Sequence, residues 1–160
     1  MDKRDHLIGM LQDFETAMLF TRSARGMLCG RPMALAEVQD DGTLYFCTDL
    51  DAAKVRELTA DPHAAVAVQE KDRFASLSGF ARIDTDRERI DRLWKDSWKL
   101  WFPRGKDDPD LCLIQFGPHP KARVSGIQRL ARTALRRPRG QGVSGRCPGN
   151  TTRTRTRRFS

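Results

Sequence analysis

The residues best suited to chemistry in this chain are cations set where cations are disfavoured. Lys54 falls in the first turn of a helix expected from about Asp51 to Ala60, the end at which the helix macrodipole repels positive charge. A bound anion reverses that penalty, because the free N–H groups and the dipole already point at it and the ammonium adds a point charge. Arg31, beside Pro32 in an otherwise apolar strand, offers a guanidinium fork suited to phosphate. Local sequence leaves two readings of each. Lys54 is either an anion ligand or a snorkelling surface lysine beside Asp51, since a misplaced first-turn cation costs only ~0.3–1 kcal/mol. Arg31 is either a second anion ligand or a solvent-facing arginine on an edge strand.

Other chemistries find little support. The cysteines Cys29, Cys47, Cys112 and Cys147 form no C-x-x-C pair, and three of them lie in strand-like apolar runs. They read as small buried hydrophobes of a reducing, cytoplasmic compartment. His6, His63 and His119 are scattered, and there is no H-E-x-x-H, G-x-S-x-G, Walker-type loop or G-x-G-x-x-G, so metal, serine-hydrolase and dinucleotide-fingerprint readings are not favoured. Asp107, Asp108 and Asp110 cluster around Pro109, and Asp and Pro are ordinary turn formers, which favours a turn over a divalent-metal site. No residue stands out as a dedicated acid, base or nucleophile, so enzymatic activity is left open. No apolar run is long enough to span a membrane, and "MDKRDHLIGML" lacks the apolar core of a signal peptide.

The elements that must position these residues follow from period. Leu7, Ile8, Leu11 and Phe14 share one face of a helix over Asp5–Phe14. Strands are expected at Glu15–Ser23, Met27–Val38, Leu44–Thr48, His63–Glu70, Arg73–Asp84 and Leu111–Phe116. Asp41–Gly42 makes a hairpin turn. Gly30 and Pro32 suggest a bulge or an edge in the second strand. Asp51 is the expected cap of the Lys54 helix, and Thr85 with Glu88 has capping-box spacing for a longer helix carrying Ile90, Leu93, Trp94, Trp98 and Trp101 on one stripe. Such a stripe is more often packing than a ligand platform. Successive strands with two helical interruptions predict a mainly β, α+β fold: a six-stranded antiparallel split β-barrel with helices packed outside.

Charge divides the chain in two. Residues 1–110 carry 17 Lys/Arg against 21 Asp/Glu, whereas residues 111–160 carry 12 Lys/Arg and no acid. After Phe116 the aliphatic pattern fades into Arg, Gly, Pro and Thr. A folded domain over 1–117 is therefore expected, followed by a basic, disordered tail over 118–160, with a helical turn or two near "GIQRLARTAL". Unopposed cations suit salt-sensitive contact with nucleic acid or another polyanion. The loss of every acidic residue at the point where the pattern fades also fits a reading-frame change in a GC-rich gene.

Three short pieces, in order, give the chain a family resemblance: "GRPMALAEV", "LYFCTDLDAAKVREL" and "WFPRGKDDPDLCLI". From about His6 to Phe116 the chain resembles the pyridoxamine 5′-phosphate oxidase-like, FMN-binding split barrels, and within them the general stress proteins. The resemblance implies flavin mononucleotide (FMN) as cofactor, with its phosphate at Arg31 and Lys54 and Thr48 against the phosphate or ribityl chain. Met33, Ala34 and Leu35 would pass under the isoalloxazine ring, with Cys47 beside them and Trp101 and Phe102 approaching from the signature segment. It implies a homodimer with the flavin at the interface, to which Phe74 and Ser76 contribute from the partner side, and flavin redox chemistry.

The departures are specific. Ala52 and Ala53 stand where relatives often carry polar phosphate ligands, and Arg104 replaces the usual Glu of W-F-P-E-G. The aromatic strand that normally follows is replaced by "GPHPKARVSGIQ". No Arg-x-His pair stands in that region, so oxidation of pyridoxamine 5′-phosphate itself is not expected. The rival reading is a polyanion-binding protein acting through its tail, with an empty flavin site.

Overall fold

The computed structural model describes residues 3–70 and 73–119. The elements in chain order are α1 Lys3–Gln12, β1 Thr16–Arg22, β2 Leu28–Val38, β3 Leu44–Asp49, α2 Ala53–Ala60, β4 His63–Glu70, β5 Arg73–Asp84, α3 Arg87–Leu93 and β6 Leu111–Pro118, with 3₁₀ turns at Asp96–Leu100 and Gly105–Asp107. The Cys147 position and the basic run from residue 120 onward lie outside the described residues.

The six antiparallel strands form a barrel, as the sequence predicts, and close in the order β1-β2-β3-β6-β5-β4. Alternation along β3 shows why. Leu44 and Phe46 face the barrel interior with Leu19, Val66, Ile114 and Phe116, while Tyr45 faces outward into a second cluster with Ile90, Leu93, Trp98, Phe102, Leu111 and Leu113. Both faces of β3 are therefore covered. Helix α1 adds Leu7, Met10, Leu11 and Phe14 to the interior cluster, and α2 adds Leu58.

The closure is thin in two places, and one of them makes the site. β1 and β4 share only Met18–Phe20 against Ala65–Ala67. β2 pairs with β1 from Leu28 through Ala34, but with β3 only from Leu35 onward, with a register shift between Leu35 and Glu37. Pro32 thus lies where β2 has a neighbour on one side alone, so its missing N–H costs no ladder bond. The bulge is not at Gly30 or Pro32 but beyond them.

Three local expectations change. Helix α2 is capped by Ala52 without a side-chain bond, not by Asp51. The Asp49 carboxylate takes the Asp51 N–H at 2.7 Å, and that tight turn delays the helix start to Ala53. Helix α3 is capped by Asp86, which accepts the Glu88 N–H at 3.1 Å, in place of the Thr85–Glu88 box. It also ends at Leu93: Trp94 is extended, and the chain resumes as a 3₁₀ turn. The three tryptophans are therefore not one helical stripe. Trp98 is buried, Trp94 meets it edge-on at 5.7 Å, and Trp101 is 65% exposed.

Candidate functional site

Where β2 and β3 part, a cavity of about 310 Å³ opens, lined by Pro32, Met33 and Ala34 from β2, Cys47, Thr48 and Asp49 from β3, Lys54 from α2, and Trp98, Trp101 and Phe102. Its floor is strand backbone, its wall aromatic, and one end holds a cation at a helix N-terminus. The first N–H groups of a helix have no partner within it, and Ala52 supplies no side-chain oxygen to take them.

Lys54 is the centre of the electrostatics. Its ammonium donates to the Thr48 hydroxyl at 3.1 Å, and among the described residues no carboxylate forms an ion pair with it. Burial, followed by repulsion from the Arg31 guanidinium, pushes its pKa below the ordinary lysine value, against weaker support from Asp49. The repulsion from Arg31 outweighs the support from Asp49 and Glu57, an arrangement in which a further negative charge would favour the ammonium.

Arg31 flanks the cavity without lining it. Its Nη1 donates to Thr21 Oγ1 at 2.8 Å and its Nη2 to Glu57 Oε2 at 2.9 Å, while the Thr21 hydroxyl donates to the same carboxylate oxygen at 2.6 Å. Neither Thr21 nor Glu57 stands out in the sequence. The available signals were a threonine among the apolar residues of β1 and an acid one helical turn after Lys54.

Of the residues singled out by sequence, the cavity brings together Met33, Ala34, Cys47, Thr48, Lys54 and Trp101. Leu35 points into the core, and its carbonyl accepts from Lys95 Nζ at 3.3 Å beside an adjoining cavity of about 470 Å³. Phe74 and Ser76 lie elsewhere on the barrel, around a cavity of about 560 Å³ with Met18, Phe20 and Ala67, and do not reach Lys54 within one chain. Cys29, Cys47 and Cys112 form no disulfide with one another. Burial pushes the Cys47 and Cys112 thiols up to about 12, which disfavours the thiolate at neutral pH.

The Asp107–Asp110 run forms a turn. Asp108 is buried, takes the Asp110 N–H at 3.0 Å, and is bound by Arg104, which also reaches Asp110 at 3.1 Å. Arg104 thus neutralises a local acidic pair instead of facing the Lys54 cavity. Among the described residues no cluster of His, Cys, Asp and Glu could hold a metal ion, and no helix is long and apolar enough to cross a membrane.

An antiparallel six-stranded barrel with a parted β2–β3 seam and helices packed outside is a split barrel. The family described as pyridoxamine 5′-phosphate oxidase like matches residues 2–124, and the chain belongs to it. It is 33% identical over 127 residues to protein bli-3 of Neurospora crassa, covering 69% of this chain and 61% of that one. It is 27% identical over 84 residues to general stress protein 26 of Bacillus subtilis, covering 49% and 59%. The chain therefore spans 61% and 59% of the lengths of these curated relatives. Among solved structures, the general stress FMN/FAD binding protein of Xanthomonas citri superposes with a TM-score of 0.62 at 32% identity, covering 72% of this chain and 82% of that one.

Proposed function

We propose that the chain is an FMN-binding protein of the general stress type that holds the cofactor by its phosphate between Lys54, Arg31 and the N-terminus of α2. The observation that carries this reading is Lys54 itself, partly buried, repelled by Arg31 and without a carboxylate partner. Thr48 would contact the phosphate or ribityl chain. Met33, Ala34 and Cys47 would lie along the ring, with Trp101 over it. The fit is in the donor set: cations and helix N–H groups suit a phosphate, and an aromatic and apolar wall suits an isoalloxazine. The likeness to a protein described as FMN/FAD binding supports flavin as the ligand class.

When bound, the flavin supplies the redox chemistry, and the protein contributes position and electrostatics. Ala52 and Ala53 offer no side-chain donors, so the phosphate depends on fewer contacts. Each absent charge-assisted bond is worth ~1.5–3 kcal/mol. We place the folded domain over 1–117 in a cytoplasmic homodimer. Phe74 and Ser76, remote from Lys54 in one chain, would then complete the flavin site from the partner. The lack of an Arg-x-His pair in the segment after Phe116 argues against pyridoxamine 5′-phosphate as substrate.

The test is the visible absorption spectrum of the purified full chain after addition of FMN and desalting. A flavin spectrum that is retained by the protein and lost in Lys54→Ala supports the reading. A colourless protein overturns it.

A further inference from the structure

Thr21, Arg31 and Glu57 come from three elements and form a closed ring of hydrogen bonds. Leu19 pairs with Arg31 and Thr21 with Cys29 across β1 and β2, so Thr21 and Arg31 are diagonal neighbours on one face of the sheet, within reach of each other. Glu57 lies three residues after Lys54, on the same face of α2. The guanidinium is thus bound by a carboxylate at 2.9 Å and a hydroxyl at 2.8 Å while an ammonium one turn away repels it. All three side chains of the ring are well covered: Thr21 is 1% exposed, and the Arg31 and Glu57 side chains are 22% and 12% exposed.

We propose that Thr21 and Glu57 are positioning residues that fix the Arg31 guanidinium, so that a phosphate monoester bound at Lys54 meets a pre-aimed donor edge. The inference rests on the phosphate site of the flavin reading and adds to it what selects the phosphate. A guanidinium has five N–H donors. Two are used on Thr21 and Glu57, leaving at most three for a ligand. A free arginine loses rotamer freedom on being ordered, and the ring orders it before the ligand arrives.

Glu57 also sets a negative charge near the proposed anion, which by itself would weaken binding. Its contact with Arg31 largely cancels that charge at a distance, whereas the fixed fork adds charge-assisted bonds directly. Positioning therefore wins over repulsion, which fixes the sign of the test.

The experiment uses the full chain, with FMN, riboflavin and inorganic phosphate as probes. Glu57→Gln is expected to weaken FMN binding about tenfold and leave riboflavin within about twofold, since riboflavin lacks the phosphate. Adding Glu57→Gln to Arg31→Ala should cost nothing beyond Arg31→Ala alone. Thr21→Val should weaken FMN in the same direction, and Thr21→Ser, which keeps the hydroxyl, should restore it. This second pair decides the matter if Glu57→Gln does not fold. Tighter or unchanged FMN binding in Glu57→Gln overturns the proposal, as does an equal loss for riboflavin. If the unaltered chain takes phosphate but not FMN, the flavin reading falls and the same variants judge the proposal with phosphate. If it takes neither, both fall.

Discussion

The Lys54 ammonium donates to the Thr48 hydroxyl at 3.1 Å, joining the end of β3 to the first turn of α2 beside a cavity in which Asp49 supports its charge only at a distance. Thr48 is buried and Lys54 is half-covered. The contact satisfies one ammonium proton, and burial and Arg31 outweigh the support from Asp49 and Glu57, so the charge is held at a cost to the fold.

That cost gives the first expectation. Lys54 has a folded-state pKa below its unfolded value, so the unfolded chain holds this proton more tightly. The penalty is fully present below the folded-state pKa and is relieved as pH rises through it toward the ordinary lysine value. Lys54→Met keeps the apolar stem and removes the charge. It should raise the thermal midpoint of the ligand-free protein by a few degrees at pH 7 while abolishing FMN retention, the usual opposition of stability and function at a site. A lower midpoint at pH 7 would show that the ammonium stabilises the fold.

The same shift shapes binding. The phosphate monoester is a dianion only above its second ionisation near ~6, and Lys54 is a cation only below its lowered pKa. FMN affinity should rise through the first pH and fall through the second, with the alkaline limb starting below the ordinary lysine range. Titrating flavin fluorescence against protein across pH measures it. An affinity flat from pH 8 to the ordinary lysine value would remove Lys54 from the phosphate site.

Backbone closeness separates two glycines that look alike in sequence. A Cβ on Gly79 would strike the Gly117 carbonyl oxygen and come within 2.9 Å of Pro118 Cα, and neither can move without opening the β5–β6 ladder. A Cβ on Gly30 would meet the Phe20 ring at 2.5 Å, but that ring is only partly covered and can swing outward. Gly79→Ala should cost about 3 kcal/mol and Gly30→Ala less than ~1.5 kcal/mol, compared by chemical denaturation. Equal costs would contradict the β5–β6 register.

How much of this was legible in the sequence depends on distance along the chain. Period-2 alternation around Leu44–Cys47 carried both faces of β3, and the misplaced charge of Lys54, in the first turn of a helix expected over Asp51–Ala60, pointed to the end of the cavity. The Thr21–Arg31–Glu57 ring was not legible, because its members are separated by 10 and 26 residues and only strand register and helix packing bring them together. The tryptophan stripe misled for a different reason. Positions i and i+3 share a face in both α and 3₁₀ geometry, so the spacing of Trp98 and Trp101 fits either, while the extended break at Trp94 leaves no mark in the period.

That break sets the last expectation, since it gives two nearby tryptophans opposite environments. Trp98 is 3% exposed and packs with Ile90, Leu93 and Phe102 beneath the cavity, whereas Trp101 is 65% exposed at its rim. Trp98→Ala leaves a large void and should destabilise the fold by about 3–5 kcal/mol. Trp101→Ala removes little buried area and should leave stability within about 0.5 kcal/mol. If Trp101 covers the flavin ring, its loss should weaken FMN and riboflavin alike, by the ~0.5–1.5 kcal/mol typical of an aromatic pair. That pattern differs from the phosphate-selective loss expected on the Arg31 side. Thermal unfolding and flavin titration of the two variants separate the roles. A Trp101→Ala variant that unfolds as readily as Trp98→Ala would return Trp101 to the core.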